Sequence, residues 1–506
     1  AVAMTQKYAN FQFGWKVLGA VFRTSGRLPD AVVANQKAVA LVSNDVEAHN
    51  NLGIALKELG RLEDAETSHR QAIALKPDFA EAHYNLGVVL QHLARLEETE
   101  ASYRQAIALK PNYAEAHSNL GNALKELGQL EDAEESFRQA IALKPNLAEA
   151  HYNLGITLKD LGQLEDAEAS YRQAIAFKPD FAEAHSNLGI ALKDLGQLED
   201  AEASFRQAIA HKLDFAEAHY NLGVVLQDLA RLEETEASYR QAIALKPNYA
   251  EAHSNLGNAL KELGQLEDAE ESFRQAIALK PNLAEAHYNL GITLKDLGQL
   301  EDAEASYRQA IAFKPDFAEA HSNLGIALKD LGQLEDAEAS FRQAIALKPD
   351  YAGAHNNLGV TLKGLGRLEE ALNSVVASLK IKPTADAKNL FASISKYIAP
   401  KSWDAALSEM VISALLAPWA RPSSVMGVAC RLLKLDAGFM RVLNQTNGHA
   451  TQSPDASLLD SFVANPLESS SLLHALLSSS QIADHELEWL FTRLRRHLLM
   501  QVTPNM

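Results

Sequence analysis

The sequence predicts an all-α chain built as a solenoid of stacked helix pairs and ended by a C-terminal helical region. Two observations carry this. The string Ala-His-x-Asn-Leu-Gly recurs ten times, with His49, His83, His117, His151, His185, His219, His253, His287, His321 and His355 each 34 residues after the last. Every unit also shows two apolar patterns of helical spacing separated by a turn, and fixed self-similarity of this length marks a stacked-repeat architecture. The composition agrees, because 47% hydrophobic and 22% charged residues are ordinary globular values.

From the N-terminus, residues 1–11 precede the pattern as an extension. A weak first unit follows, with Trp15, Leu18, Gly19, Gly26, Ala31 and Ala38 in the repeat frame. Within a typical unit, Asp78-Phe79-Ala80-Glu81 reads as a capping box that opens the first helix. Gly60 and its equivalents close that helix. Leu62-Glu63-Asp64-Ala65 then starts the second helix with acids in its first turn, Arg70 and Lys76 lie toward its end, and Pro77 stops it. Eleven units fill residues 12–385. A degenerate twelfth, keeping Leu390, Trp403 and Ala405, is expected over 386–419, and a capping or connecting helical region over 420–506. In that region helical patterns run over Leu407–Leu416, Ser424–Leu433, Leu458–Val463, Leu467–Leu477 and His485–Leu499, with a loop at Asn444–Asp455.

The 34-residue helix-turn-helix unit, with Leu52, Gly53, Ala65, Ala72 and Pro77 at these offsets, resembles the tetratricopeptide repeat. The resemblance implies a right-handed α-solenoid whose first helices line a concave groove. Departures are Leu213 for the closing Pro, Thr99 and Thr235 for the small Ala, Ala94 and Ala230 for the turn Gly, and His69 for Tyr or Phe. A longer period is superimposed. Residues 80–215 and 216–351 match over 136 positions with four differences: His92/Asp228, His211/Leu347, Leu213/Pro349 and Phe215/Tyr351. Such copies present nearly the same groove twice, which suits an extended, sequence-tolerant ligand better than a folded one.

One position of the expected groove face carries Asn51, Asn85, Asn119, Asn153, Asn187, Asn221, Asn255, Asn289, Asn323 and Asn357, and the run ends at Val17 and Phe391. A primary amide both donates and accepts, so it can pair with the N–H and C=O of an extended peptide whatever its side chains. The alternative is that each Asn bonds to the neighbouring helix. Just before this position, Tyr84, Tyr152, Tyr220 and Tyr288 alternate with Ser118, Ser186, Ser254 and Ser322. These asparagines and tyrosines are the candidate peptide-binding residues. The asparagine run is similar to the repeat arm of O-linked N-acetylglucosamine transferase, which implies a hold on the backbone of protein substrates. Asn465-Pro466-Leu467 to Leu477 and Asp484 to Leu499 resemble the connector of bacterial repeat-methyltransferase proteins. The chain then reads as a protein-binding scaffold, or as the recognition arm of a transferase whose catalytic domain lies outside it, or as a self-assembling solenoid.

Net charge is −18, from 47 basic and 65 acidic residues. The ten basic and ten acidic residues from 384 onward cancel, so the first 383 residues carry the whole excess, which disfavours nucleic acid and anionic membrane as partners. No apolar run reaches the length of a membrane span, and Lys16 and Arg23 interrupt the one candidate signal stretch. A cytoplasmic protein is expected. The single cysteine, Cys430, excludes a disulfide framework and reads as a core thiol. Phosphate loops, dinucleotide fingerprints, nucleophile elbows and His-Glu-x-x-His are missing, for His485-Glu486-Leu487-Glu488-Trp489 has no second His. No cofactor, metal or catalytic residue is therefore expected. One His per repeat spaces the imidazoles about 8–10 Å apart, too far to share an ion. They are expected as packing groups, Trp15 taking the place in the first unit, and if buried neutral they would make stability fall with pH.

Overall fold

The computed structural model describes residues 9–402, 404–416, 422–436, 439–440 and 470–478, and Leu487, Glu488, Phe491, Thr492 and Arg495. The helical pattern at Leu458–Val463, the loop at Asn444–Asp455 and most of His485–Leu499 lie outside the described residues. The chain divides into two units, Ala1–Ala252 and His253–Met506. Among the described residues all regular structure is helical, as the periodicity predicts.

The first unit holds seven helix pairs, from Gln12–Thr24 with Leu28–Leu41 to Ala216–Asp228 with Leu232–Leu245. In the second unit Leu266–Leu279 packs on Ala284–Asp296, the first helix of three pairs that run to Leu368–Ile381. Each regular pair joins a first helix of 13 residues (Val46–Glu58) to a second of 14 (Leu62–Leu75). The helix Leu368–Ile381 packs on Ala385–Ser395, which packs on Pro422–Leu433. That last helix, Ala405–Leu416 and Ser470–Leu477 lie against one another, and Cys430, Phe439 and Phe491 are buried there.

Why the two helices of a pair lock is visible at Gly87. A methyl group built on it would lie 2.7 Å from Cε1 of Tyr103, so only hydrogen lets the buried ring lie flat on the first helix. The same contact recurs as Gly121 on Phe137 and Gly155 on Tyr171. Small residues complete the interface, with Ala65 and Ala72 fully buried. Thr99 and Thr235 fit in place of Ala because each hydroxyl donates to a carbonyl of its own helix, Arg95 at 2.9 Å and Arg231 at 3.0 Å.

The turn between the helices is a Schellman-type closure. Arg61 N–H donates to Leu56 O at 2.9 Å and Gly60 N–H to Lys57 O at 2.9 Å, with Gly60 at φ +81°. Ala94 and Ala230 hold the same left-handed conformation at φ 56° and 57°, where a Cβ crowds the backbone.

The capping box does not form. The first helix starts at Ala80, and Phe79, its N-cap, gives no side-chain hydrogen bond. A turn in which Phe79 N–H donates to Lys76 O places Asp78 one residue too early to reach the helix. The true carboxylate cap is Asp45, in the frame of Phe79, which accepts from Ala48 N–H at 2.9 Å. Glu81 instead pairs with Lys110 at 3.2 Å, and the link recurs, as in Glu183 with Lys212 at 3.0 Å. The acids at the second-helix start lie as expected in its first turn, where Arg61 bridges to Asp64.

His69 is the odd member of the ring column. It is fully buried, neither ring nitrogen has a partner, and its Nε2 would meet a methyl group on Gly53 at 2.5 Å. Burial, then the charge of Lys57, lowers its pKa from 6.5 to about 4. A lowered folded pKa stabilises the fold fully above the unfolded value, and this stability is lost as pH falls from 6.5 toward about 4. His69→Phe, the residue at Phe205 in a repeat with the same facing residues, should raise stability by about 1–3 kcal/mol by removing two unsatisfied polar atoms. Thermal melts from pH 7 to 4 should show the higher midpoint and a shallower acid decline. Ala94→Gly and Ala230→Gly should each stabilise by about 1 kcal/mol, read in the same melts, by relieving the left-handed strain.

Candidate functional site

The register set by the glycine–ring contact decides which side chains stay outside it. Two residues before Gly87 stands Asn85, and before that Tyr84; both are half-buried on the first helix. Successive first helices lie close, since Asn119 reaches back 35 residues to Tyr84 and Gln91 reaches forward to Glu126 at 3.3 Å. Second helices are bridged by long arginines, such as Arg70 joining Glu66 of its own helix to Glu98 of the next at 2.9 Å. Within each unit the first helices therefore form the tighter, concave side.

The ten asparagines occupy equivalent positions, all half-buried, but their bonding differs. Asn119, Asn187 and Asn323 each donate from Nδ2 to the hydroxyl of Tyr84, Tyr152 and Tyr288, at 3.1 Å in all three cases. Asn85 donates to Asn50 Oδ1 at 3.0 Å, Asn50 standing where later repeats have Tyr or Ser. Asn51, Asn153, Asn221, Asn289 and Asn357 have no side-chain hydrogen bond among the described residues. Serine explains four of the five. The residue 35 places before Asn153 is Ser118, before Asn221 Ser186, before Asn289 Ser254 and before Asn357 Ser322, each too short to span to the next helix; before Asn51 it is Lys16. Beyond the run, Phe391 is fully buried rather than facing a groove.

The tyrosines sit against aromatic neighbours. Tyr84 lies 4.8 Å from the Tyr113 ring and 5.8 Å from Tyr103, and Tyr152 lies 4.7 Å from Phe181. Tyr220 lies 4.9 Å from Tyr249, and Tyr288 4.7 Å from Phe317. Burial, then the nearby Glu115 carboxylate, raises the pKa of Tyr84 above the ordinary tyrosine value; burial and Glu183 do the same for Tyr152. These hydroxyls keep their protons at physiological pH. Beneath them, Tyr103 donates to Gln91 Oε1 at 3.2 Å, whereas the buried hydroxyls of Tyr171 and Tyr307 find no partner, because Lys159 and Lys295 replace that Gln.

Three of the lysines farther along the first helix are compensated by the next residue. Lys193, Lys295 and Lys329 meet the following Asp at 3.5, 3.5 and 3.3 Å, and Lys363 donates to Ser393 at 3.0 Å. The histidines serve the turns between repeats. His83 Nε2 lies 2.9 Å from Pro77 O and His151 2.8 Å from Pro145 O, and a carbonyl can only accept, so Nε2 carries the proton. That bond survives in both charge states of the ring. Burial lowers the pKa of His185 and His219, so these two rings carry an acid penalty.

Paired helices stacked with a concave amide-bearing face define a helical repeat protein of the interaction class. The chain belongs to the tetratricopeptide-repeat family. A TPR repeat model matches ten segments from 19–60 to 327–366, and a tetratricopeptide repeat model matches 352–384. None of the curated proteins matches. Similar solved structures include YrrB, described as a TPR protein with an unusual peptide-binding site, at 26% identity over 37% of this chain and 96% of that one, TM-score 0.34. MamA matches at 26% identity over 33% and 97%, TM-score 0.31. The APC/C hetero-tetramer Cut9–Hcn1 matches at 13% identity over 76% and 96%, TM-score 0.40. The family is one of protein-interaction scaffolds, and among the described residues no helix is long and apolar enough to cross a membrane.

The asparagine positions are legible in the sequence, and their division is not. The signal was the Tyr/Ser alternation, which becomes a bonding rule once the 35-residue reach between first helices is known. Replacing Asn119 by Ala should cost about 0.5–1.5 kcal/mol of stability through the lost Tyr84 bond. Asn153→Ala should leave the melting midpoint nearly unchanged. Parallel thermal melts of the two variants compare them directly.

Proposed function

We propose that the chain is a peptide-binding scaffold that holds extended segments of a protein partner along the concave side of each unit. The observation that carries this is one half-buried amide per repeat at the same position from Asn51 to Asn357. Such a series supplies neutral donors and acceptors at regular intervals, which matches main chain rather than any particular side chain. The pairing of Lys193, Lys295 and Lys329 with the following Asp supports the same reading, since it weakens this column as a site for an acidic ligand.

A second reading is that the chain is the recognition arm of a glycosyl- or methyltransferase. The placement of the asparagines, similar to the arm of O-linked N-acetylglucosamine transferase, supports it. The intact mass of the native polypeptide decides between an arm joined to a catalytic domain and a scaffold acting alone.

The groove reading is tested by replacing Asn187, Asn221, Asn255 and Asn289 together by Ala. Binding of labelled 20-residue peptides, followed by fluorescence anisotropy, should weaken by about tenfold or more, while the far-ultraviolet circular dichroism stays unchanged. Undiminished binding would sink the amide mechanism.

A further inference from the structure

The concave face has a period of two repeats. In the first unit the hydroxyl–amide couples Tyr84–Asn119 and Tyr152–Asn187 stand 68 residues apart, and the side chains of Asn153 and Asn221 have no hydrogen bond among the described residues. In the second unit the couple is Tyr288–Asn323, with Asn289 and Asn357 in the uncoupled places.

We infer that these hydroxyl–amide couples are the primary contacts of the groove, each taking one peptide unit of an extended, uncharged stretch of main chain, while the uncoupled asparagines contribute little. The inference rests on the groove reading proposed above and assigns its energy to particular residues.

Bonding capacity supports the couple as a unit. The Tyr hydroxyl has used an acceptor site to receive the Asn N–H and still has its own proton to give; the Asn has used one N–H and keeps its carbonyl oxygen. Each couple therefore offers one donor and one acceptor from adjacent helices, the complement of a peptide C=O and N–H. An uncoupled amide offers the same groups from a single rotatable side chain, which binding must first immobilise. The couple is already held by its internal bond and by the rings of Tyr103 and Tyr113, or of Tyr171 and Phe181, packed around the tyrosine.

Spacing fixes what kind of segment fits. With neighbouring helices about 8–10 Å apart, couples two repeats apart lie about 16–20 Å apart. An extended strand rises about 3.3 Å per residue, so about five or six residues separate the peptide units gripped by adjacent couples. The residues between are held loosely, and their side chains are free to vary.

The test uses the full chain and a fluorescein-labelled, acetylated and amidated 20-residue peptide of Ala, Ser, Thr and Val, in anisotropy titrations. Y84F/Y152F removes two hydroxyls and keeps both rings; N153A/N221A removes two uncoupled amides. The expected result is a loss of about tenfold for Y84F/Y152F and under about threefold for N153A/N221A, with melting curves showing both variants folded. Equal losses, or a larger loss in N153A/N221A, would overturn the inference and leave the groove reading standing. If the unaltered chain binds neither this peptide nor a panel of unrelated uncharged 20-residue peptides, both fall. A peptide of the same length with Glu at every third position should bind more weakly than the neutral one, because the repeats carry the chain's net charge of −18; binding about tenfold tighter would overturn recognition of uncharged main chain.

Discussion

The structure depends on the contact between a first-helix glycine and a second-helix ring, which recurs from Gly53 to Gly325, with Asn35 and Val375 taking the ring's place at Gly19 and Gly359. A buried aromatic lies where any Cβ on the opposite helix would sit under 3 Å away, so the pair has one register and no neighbouring one. Every other placement follows from that register. The alanines fall into the interface, the acids of the second helix fall at its exposed first turn, and the amide two residues before the glycine stays on the concave side. Because a pair buries only part of its apolar surface, the next pair must cover the rest, and stability accumulates through nearest neighbours.

Much of this was legible in the sequence because repeat length, glycine positions and apolar spacing are local in the chain. Helix bounds, turn glycines and the buried alanines required no knowledge of the neighbours. The amide series was legible as a column but not as a bonded pattern, since whether Asn119 or Asn153 finds a partner depends on a residue 35 places earlier and on how closely two helices approach. The capping box failed for a related reason. Asp78 and Glu81 have the right spacing, but the turn at Lys76–Phe79 moves the helix start by one residue and turns Glu81 toward Lys110. His69 shows the same limit from another side, because its letter gives no hint that both ring nitrogens lie without partners in a space shaped for Phe or Tyr.

Two periods coexist in one fold and act on different surfaces. The 34-residue period builds the helix pairs and sets the size of the residues buried between them. The two-repeat alternation of half-buried Tyr with buried Ser118, Ser186 and Ser322 decides how amides on the concave side are engaged. Buried hydroxyls expose a further doubling, for Gln91 satisfies Tyr103 where Lys159 leaves Tyr171 unpaired. Structural demands and surface chemistry are thus written at different wavelengths in the same residues.

The near-identity of residues 80–215 and 216–351 has an evolutionary corollary. Their coding sequences are natural partners for unequal recombination, which would insert or delete whole blocks of four repeats. Since each regular helix pair within a unit packs on the next along the chain, a junction so created would reproduce an interface already present in the protein. Selection could then tune the length of the arm, and the length of the segment it follows, without first inventing a new packing solution.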